Sequence, residues 1–241
     1  MGAGAVRGFA GFGFSALVVA GLSPFVAPGP VVAAVLALEA VASLSVARQV
    51  APSVDRSWLR SLLIGNAVCI PVGLAALAFL PVGPMRALVS GMLLCGAVAL
   101  RLLEGRSFES SVGLRGLAGV ASGLLNGLAA SGGVAAAMLM VSTHPVPDRL
   151  RATMIIFLLW VSLYALAWAA MITAGGGGGP AALLGAEILR WGLVLWPAMV
   201  LGMRLGQHAF GRANPGRYRR FVLNLLMVIA GLGLLNALLQ A

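Results

Sequence analysis

The stretch GLLNGLAASGGVAAAML, Gly123 to Leu139, has the composition of a membrane helix, yet Asn126, Ser131 and the pair Gly132-Gly133 interrupt it halfway. Hydrocarbon offers no partner to a freed backbone N–H or C=O, so irregular backbone survives at that depth only where it faces protein or a water-filled cavity. The interruption therefore reads as the binding site of a transporter. A second stretch of the same kind opens the chain, where GFGFS at Gly11 to Ser15 breaks the apolar run Gly2 to Ala27.

The surrounding composition sets the class. Of 241 residues, 61% are hydrophobic and 9% charged, with a mean hydropathy of +1.03. Soluble domains sit near about 45–50% apolar and about 25% charged, so the chain is an integral membrane protein. The formal net charge of +10 comes entirely from Arg residues clustered at the ends of apolar runs. That is the placement of cytoplasmic anchors rather than of a nucleic-acid surface. The expected partners are the lipid bilayer and a small anion, with no nucleic acid; a homodimer is one admissible assembly. Cys69 and Cys95 lie within apolar segments without CxxC spacing and read as small buried hydrophobes. With two histidines, no carboxylate cluster and no cysteine pair, neither a metal centre nor any other cofactor is expected, and no residue is assigned a catalytic role: the chain is not expected to be an enzyme. His144 reads as a solvated loop residue, and Arg204 and His208 as interfacial anchors. Arg7 interrupts the first apolar run, so a removable signal peptide is not expected.

Uninterrupted apolar segments of spanning length run from Pro30 to Ala47, Trp58 to Leu80, Met85 to Leu103, Leu150 to Ala174, Ala181 to Gln207 and Phe221 to Gln240. A crossing needs about 20 residues, so these predict six crossings beside the two broken elements. The chain also repeats itself. RGFAG at Arg7 to Gly11 returns as RGLAG at Arg115 to Gly119, an offset of 108, and the bracket Pro28-Gly29-Pro30 returns as Pro145-Val146-Pro147, an offset of 117. The two offsets imply nine extra residues within the second broken segment. Each half, residues 1–106 and 107–241, is then one broken element followed by three crossings.

Arginine placement orients the broken elements. If both are half-membrane hairpins, thirteen Arg collect on one side, against Arg7, Arg86 and Arg190 on the other. If both cross fully, the asymmetry largely vanishes. The positive-inside rule thus favours hairpins, a cytoplasmic Arg face and both termini outside. Three crossings per half invert the halves relative to one another, as in many secondary transporters. The predicted fold is an all-α polytopic membrane protein of two inverted repeats in a bacterial inner membrane.

The arms after the breaks are about 10–12 residues long, half a bilayer span, which puts each break near the midplane. Each second arm begins with unpaired N–H groups at the positive end of a helix dipole, a setting that favours an anion. The substrate-binding candidates are Gly13, Phe14 and Ser15 in the first break, with Asn126, Ala130, Ser131, Gly132 and Gly133 in the second. Two such ends meeting at a pseudo-two-fold axis would bind a small oxyanion without a basic side chain. Glu39 is the only acid well inside a spanning segment, and reads as a proton-coupling site, a partner for an Arg, or a vestibule or subunit contact. Asn66, Asn224 and Asn236 are candidates for lining the path or bonding between helices. For any single glycine, such as Gly123 or Gly127, helix packing is the simpler reading.

With the halves laid out, the sequence resembles the TauE/SafE family of sulfite exporters. The resemblance rests on RGFAGFGFSALVV near the start, the Pro-bracketed turn, GLAGVASGLLNGLAASGGVAAAML opening the second half, and GMRLGQHAFGRANPGRYRRFVLNLLMVIAGLGLL at the end. The family typically has a glycine cluster after the first short arm of each half. Here Gly13-Phe14-Ser15 stands where a longer glycine run is often found, and Ala130-Ser131 precedes Gly132-Gly133. The resemblance implies a permease for sulfite, sulfoacetate or a related organosulfonate. The rival readings are a proton-coupled importer of an organic anion and a membrane assembly subunit that transports nothing.

Overall fold

The computed structural model describes residues 1–22, 25–26, 28–79, 111–143, 146–175 and 186–210, together with Asn224 and Val228. These residues are helical throughout apart from short connections. The helices are α1 (Gly2–Ala10), α2 (Phe14–Leu22), α3 (Pro28–Val50), α4 (Arg56–Phe79), α5 (Val112–Ala129), α6 (Gly132–Thr143), α7 (Pro147–Ala174) and α8 (Ala186–Phe210). A 3-10 turn, Ala51–Ser53, joins α3 to α4. The predicted crossings Met85 to Leu103 and Phe221 to Gln240 lie outside the described residues apart from Asn224 and Val228, as do Cys95, His144 and Asn236. Asn224 is helical and exposed.

Local sequence sets the helix starts. Asp55 caps α4, its Oδ1 accepting the amides of Ser57 and Trp58 at 3.0 and 3.1 Å, and Ser111 caps α5 by accepting the amide of Leu114 at 3.1 Å. Pro147 opens α7 with Asp148 in the first turn, where a missing N–H costs nothing and the helix dipole favours an acid. Among the described residues, four helices are long and apolar enough to cross a membrane: Pro30–Ser53, Arg56–Ala76, Pro147–Ala174 and Ile188–Phe210.

The broken elements pack through glycine. Along α5, Gly119, Gly123 and Gly127 face Gly65, Cys69 and Gly73 of α4, so closely that a Cβ on Gly65 would stand 2.4 Å from the backbone of Gly119. Along α1, Gly4 and Gly8 face Met199 and Met203 of α8, while Gly202 and Gly206 face Met1, Ala5 and Phe9. Gly123 and Gly127 are thus packing residues: without Cβ atoms the backbones approach closely and gain dispersion contact that lipid cannot supply. Asn66 serves the same seam, its Nδ2 donating to Leu62 O at 2.8 Å and across to Gly119 O at 3.0 Å.

The pairing of elements has a definite order. α1 packs on α8 as α5 packs on α4; α2 packs on α3 as α6 packs on α7; α3 packs on α8 as α7 packs on α4; and α3 and α7 pack on each other. Exchanging α1–α4 for α5–α8 returns the same set of these principal pairings. Polarity is turned inside out relative to a soluble protein. Ile64, Val68 and Val72 form an exposed stripe on α4 and Leu189 and Leu193 another on α8, while Arg7, Glu39, Ser43, Ser122, Asn126 and Ser162 are buried. An apolar exterior, with the few charged and polar side chains held inside an otherwise apolar core, is what a hydrocarbon solvent selects.

Candidate functional site at the two helix breaks

The first break follows from Gly11 and Gly13. α1 ends when Gly11 turns left-handed at φ 85°, its amide donating to Arg7 O, and Gly13 repeats the excursion at φ 90°. Gly13 O then accepts the amide of Leu17 at 3.1 Å, which starts α2. The second break shares the helix-ending left-handed turn, on a less suited residue, but not the second excursion. α5 ends at Ala130, left-handed at φ 48°, whose amide donates to Asn126 O at 2.9 Å. Ser131 O accepts the amide of Val134 at 3.0 Å and starts α6. There the chain turns back on itself. The Ser122 hydroxyl donates to Gly132 O at 2.7 Å, and a Cβ on Gly132 would stand 2.2 Å from Ser122 O. In a continuous helix those two residues would be about 15 Å apart along the axis.

The two breaks align at a single offset of 119, which pairs Gly4 with Gly123, Gly8 with Gly127, Gly11 with Ala130, Gly13 with Gly132, Pro28 with Pro147 and Ser43 with Ser162. This corrects the offsets of 108 and 117 read from RGFAG/RGLAG and the proline bracket. Arg7 is buried at its break, whereas Arg115 stands near the start of α5, where it bonds Ser111 O and Ser57 Oγ. α5 has 18 residues to the nine of α1, and at this offset the nine extra residues lie before the second break. A short motif of Gly, Ala and Arg matched by composition; the left-handed turn is the sounder register mark.

Arg7 is also the residue that the sequence reading missed. It is 3% exposed, and its guanidinium donates from Nη1 to Gly11 O and from Nη2 to Ser43 Oγ. Nη1 lies 3.8 Å from Glu39 Oε1, so of the readings of Glu39 the Arg partner is realised. Ser15 stands beside the same carboxyl, yet neither Glu39 oxygen has a well-formed hydrogen bond. Two expectations therefore change. The first break contains a basic side chain, and Arg7 belongs to the interior instead of counting toward a face of the membrane. The available signal was its spacing, four residues before Gly11 in an apolar run, together with Glu39 and Ser43 one helical turn apart on α3. From α7, Arg151 donates to Gly8 O at 3.2 Å, packs its Cγ against the Gly11 position and sets its guanidinium 4.6 Å above the Phe210 ring.

The second break is neutral. Asn126 is fully buried with neither side-chain atom hydrogen-bonded, Ala130 and Ser131 are buried, and Gly133 faces the side chain of Leu158. At the shared offset Asn126 stands where the first break has Arg7, Val134 where it has Ser15, and Leu158 where it has Glu39. Gly13, Phe14 and Ser15 thus gather with the Arg7–Glu39 pair, and Asn126 with Ala130 to Gly133 around the second turn. α2 packs on α3 and α1, and α6 on α5 and α7. Asn66 belongs to the α4–α5 seam.

Chemically, the first break offers what an anion needs: a guanidinium, a hydroxyl and first-turn amides that no helix carbonyl can occupy. No curated protein and no solved structure matches the chain. The family model of the sulfite exporter TauE/SafE matches residues 1–233, nearly its whole length. With its apolar crossings, buried polar side chains and broken helices, this multi-pass membrane chain belongs to the sulfite exporter TauE/SafE family.

Proposed function

We propose that the protein exports a small sulfur-containing oxyanion, sulfite, sulfoacetate or a related organosulfonate, across a bacterial inner membrane by alternating access. Membership of an exporter family supports the transport class. The observation that carries the anion reading is Arg7, a fully enclosed guanidinium at the mouth of a broken helix. A charge in that position is costly unless it is used. The halves 1–106 and 107–241 act as inverted repeats that rock about the α3–α7 contact. The exchange symmetry of the packing and the shared left-handed turns support that reading. With the interior negative by about 100 mV, expelling a mono- or dianion gains roughly 2–5 kcal/mol, so export needs no coupled ion.

The test is flux of sulfite and sulfoacetate in proteoliposomes with the potential clamped at either sign, beside Gly133→Val. Flux that follows the potential and disappears in the variant supports the reading. No flux of either anion from a folded, correctly inserted protein removes it.

A further inference from the structure

We propose that Glu39 is an internal rival of the substrate for Arg7, so that the anion binds at the first break only while Glu39 carries a proton, and each transported anion moves with one proton. This rests on the permease reading above. Three observations lead to it. Glu39 is 1% exposed, its Oε1 lies 3.8 Å from Arg7 Nη1 in an ion pair beyond hydrogen-bond reach, and neither carboxyl oxygen has a well-formed hydrogen bond. An ionised carboxylate fixed there for structural reasons alone would take the hydrogen bonds around it. Ser15 and the opening turn of α2 stand beside it, so the carboxyl occupies the place of an anion without being bound as one. Finally, the second break also ends its helix in a left-handed residue, but at the shared offset it has Asn126, Val134 and Leu158 where the first has Arg7, Ser15 and Glu39. It has neither the cation nor the rival, which confines the anion to one break.

The proton balance is simple. When the site opens to one side, a carboxylate oxygen of Glu39 takes a proton from water, and the neutral acid leaves Arg7 free for the anion. When the site opens to the other side, loss of that proton restores the carboxylate, which competes for Arg7 and releases the anion. A dianion with one proton still carries one net negative charge outward, so the potential still favours export. The groups that act on Glu39 are few. Arg7 on α1 is the cation that acts on Glu39, and Arg151 on α7 acts in turn on Arg7; Ser15 on α2 and Ser43 on α3 do not titrate. Arg190, Arg204 and His208 of α8 and Asp148 and Arg149 of α7 are exposed, the 3-10 turn carries no charge, and Arg115 sits by Ser57 at the far end of α5.

Sulfoacetate is the probe, because both of its acidic groups stay ionised between about pH 6 and about pH 8. The full-length protein is reconstituted, and two quantities are read: counterflow exchange, and accumulation driven by a pH gradient with the potential clamped at zero. The wild type should accumulate sulfoacetate on the alkaline side roughly tenfold per pH unit, the limit for one proton per anion. Glu39→Gln should lose the gradient-driven accumulation, and Glu39→Asp should retain part of it. Accumulation that ignores the pH gradient in the wild type, or that survives in Glu39→Gln, overturns this inference and leaves the permease intact. Absence of wild-type counterflow overturns both.

Discussion

Arg7 and Asn126 occupy the same place in the two broken helices: the carbonyl of each accepts the amide of the left-handed residue that ends its helix, Gly11 in one and Ala130 in the other. One is a cation engaged with Ser43, Gly11 and Glu39, and the other a neutral amide with no side-chain partner. The backbone thus ends both helices with the same left-handed step, and the side chains make the two places unlike.

Removing one member of the charged pair should cost more than removing both. Arg7→Met leaves Glu39 buried alone and strips the donors from Gly11 O and Ser43, a loss of about 3–5 kcal/mol. Arg7→Met combined with Glu39→Gln should recover a substantial part. Thermal unfolding in detergent measures both, and a double variant no more stable than the single would show that the pair is not coupled.

The two left-handed residues should respond oppositely to exchange. Ala130→Gly relieves a positive φ that costs a β-carbon about 1 kcal/mol, and so raises stability by up to that amount, less the freedom gained by the unfolded chain. Gly11→Ala adds a Cβ at φ 85° and 3.0 Å from Arg151 Cγ, and should lower stability by 1 kcal/mol or more. Equal shifts in one direction would contradict the turn geometry.

Adjacent glycines of the second break should separate structure from function. Gly132→Ala drives a Cβ into Ser122 O at 2.2 Å, so about 1–3 kcal/mol of stability is lost. Gly133→Ala meets only Leu158 Cδ2 at 3.1 Å, the end of a side chain that can turn aside, and should fold nearly as well as the wild type. Melting curves and flux on the same preparations decide; an unstable Gly133→Ala would mark Gly133 as a packing residue too.

The glycine seam predicts a position-dependent penalty. Gly65→Ala collides with the Gly119 backbone at 2.4 Å and should destabilise by about 1–3 kcal/mol, whereas Gly116→Ala meets nothing within 4 Å and should gain up to about 1 kcal/mol from helix propensity. Detergent-solubilised yields and melting temperatures would show the contrast, and similar values for both would mean that α4 and α5 are not seated as described.

The sequence by itself determined the class, the positions of α3, α4 and α7 to within a few residues, both breaks and the singular Glu39. These are local properties: the length of an apolar run, a glycine inside it, a charge where charge is costly. The described part of α8, Ala186–Phe210, begins within its predicted span and runs three residues past its end. Only the tertiary structure decided that Arg7 rather than Arg115 stands at a break, that Glu39 is its neighbour 3.8 Å away, and that Gly123 and Gly127 form a seam while Gly133 does not. Those facts depend on which helix faces meet, and in a bundle whose faces are nearly all apolar, hydropathy along the chain does not distinguish one face from another.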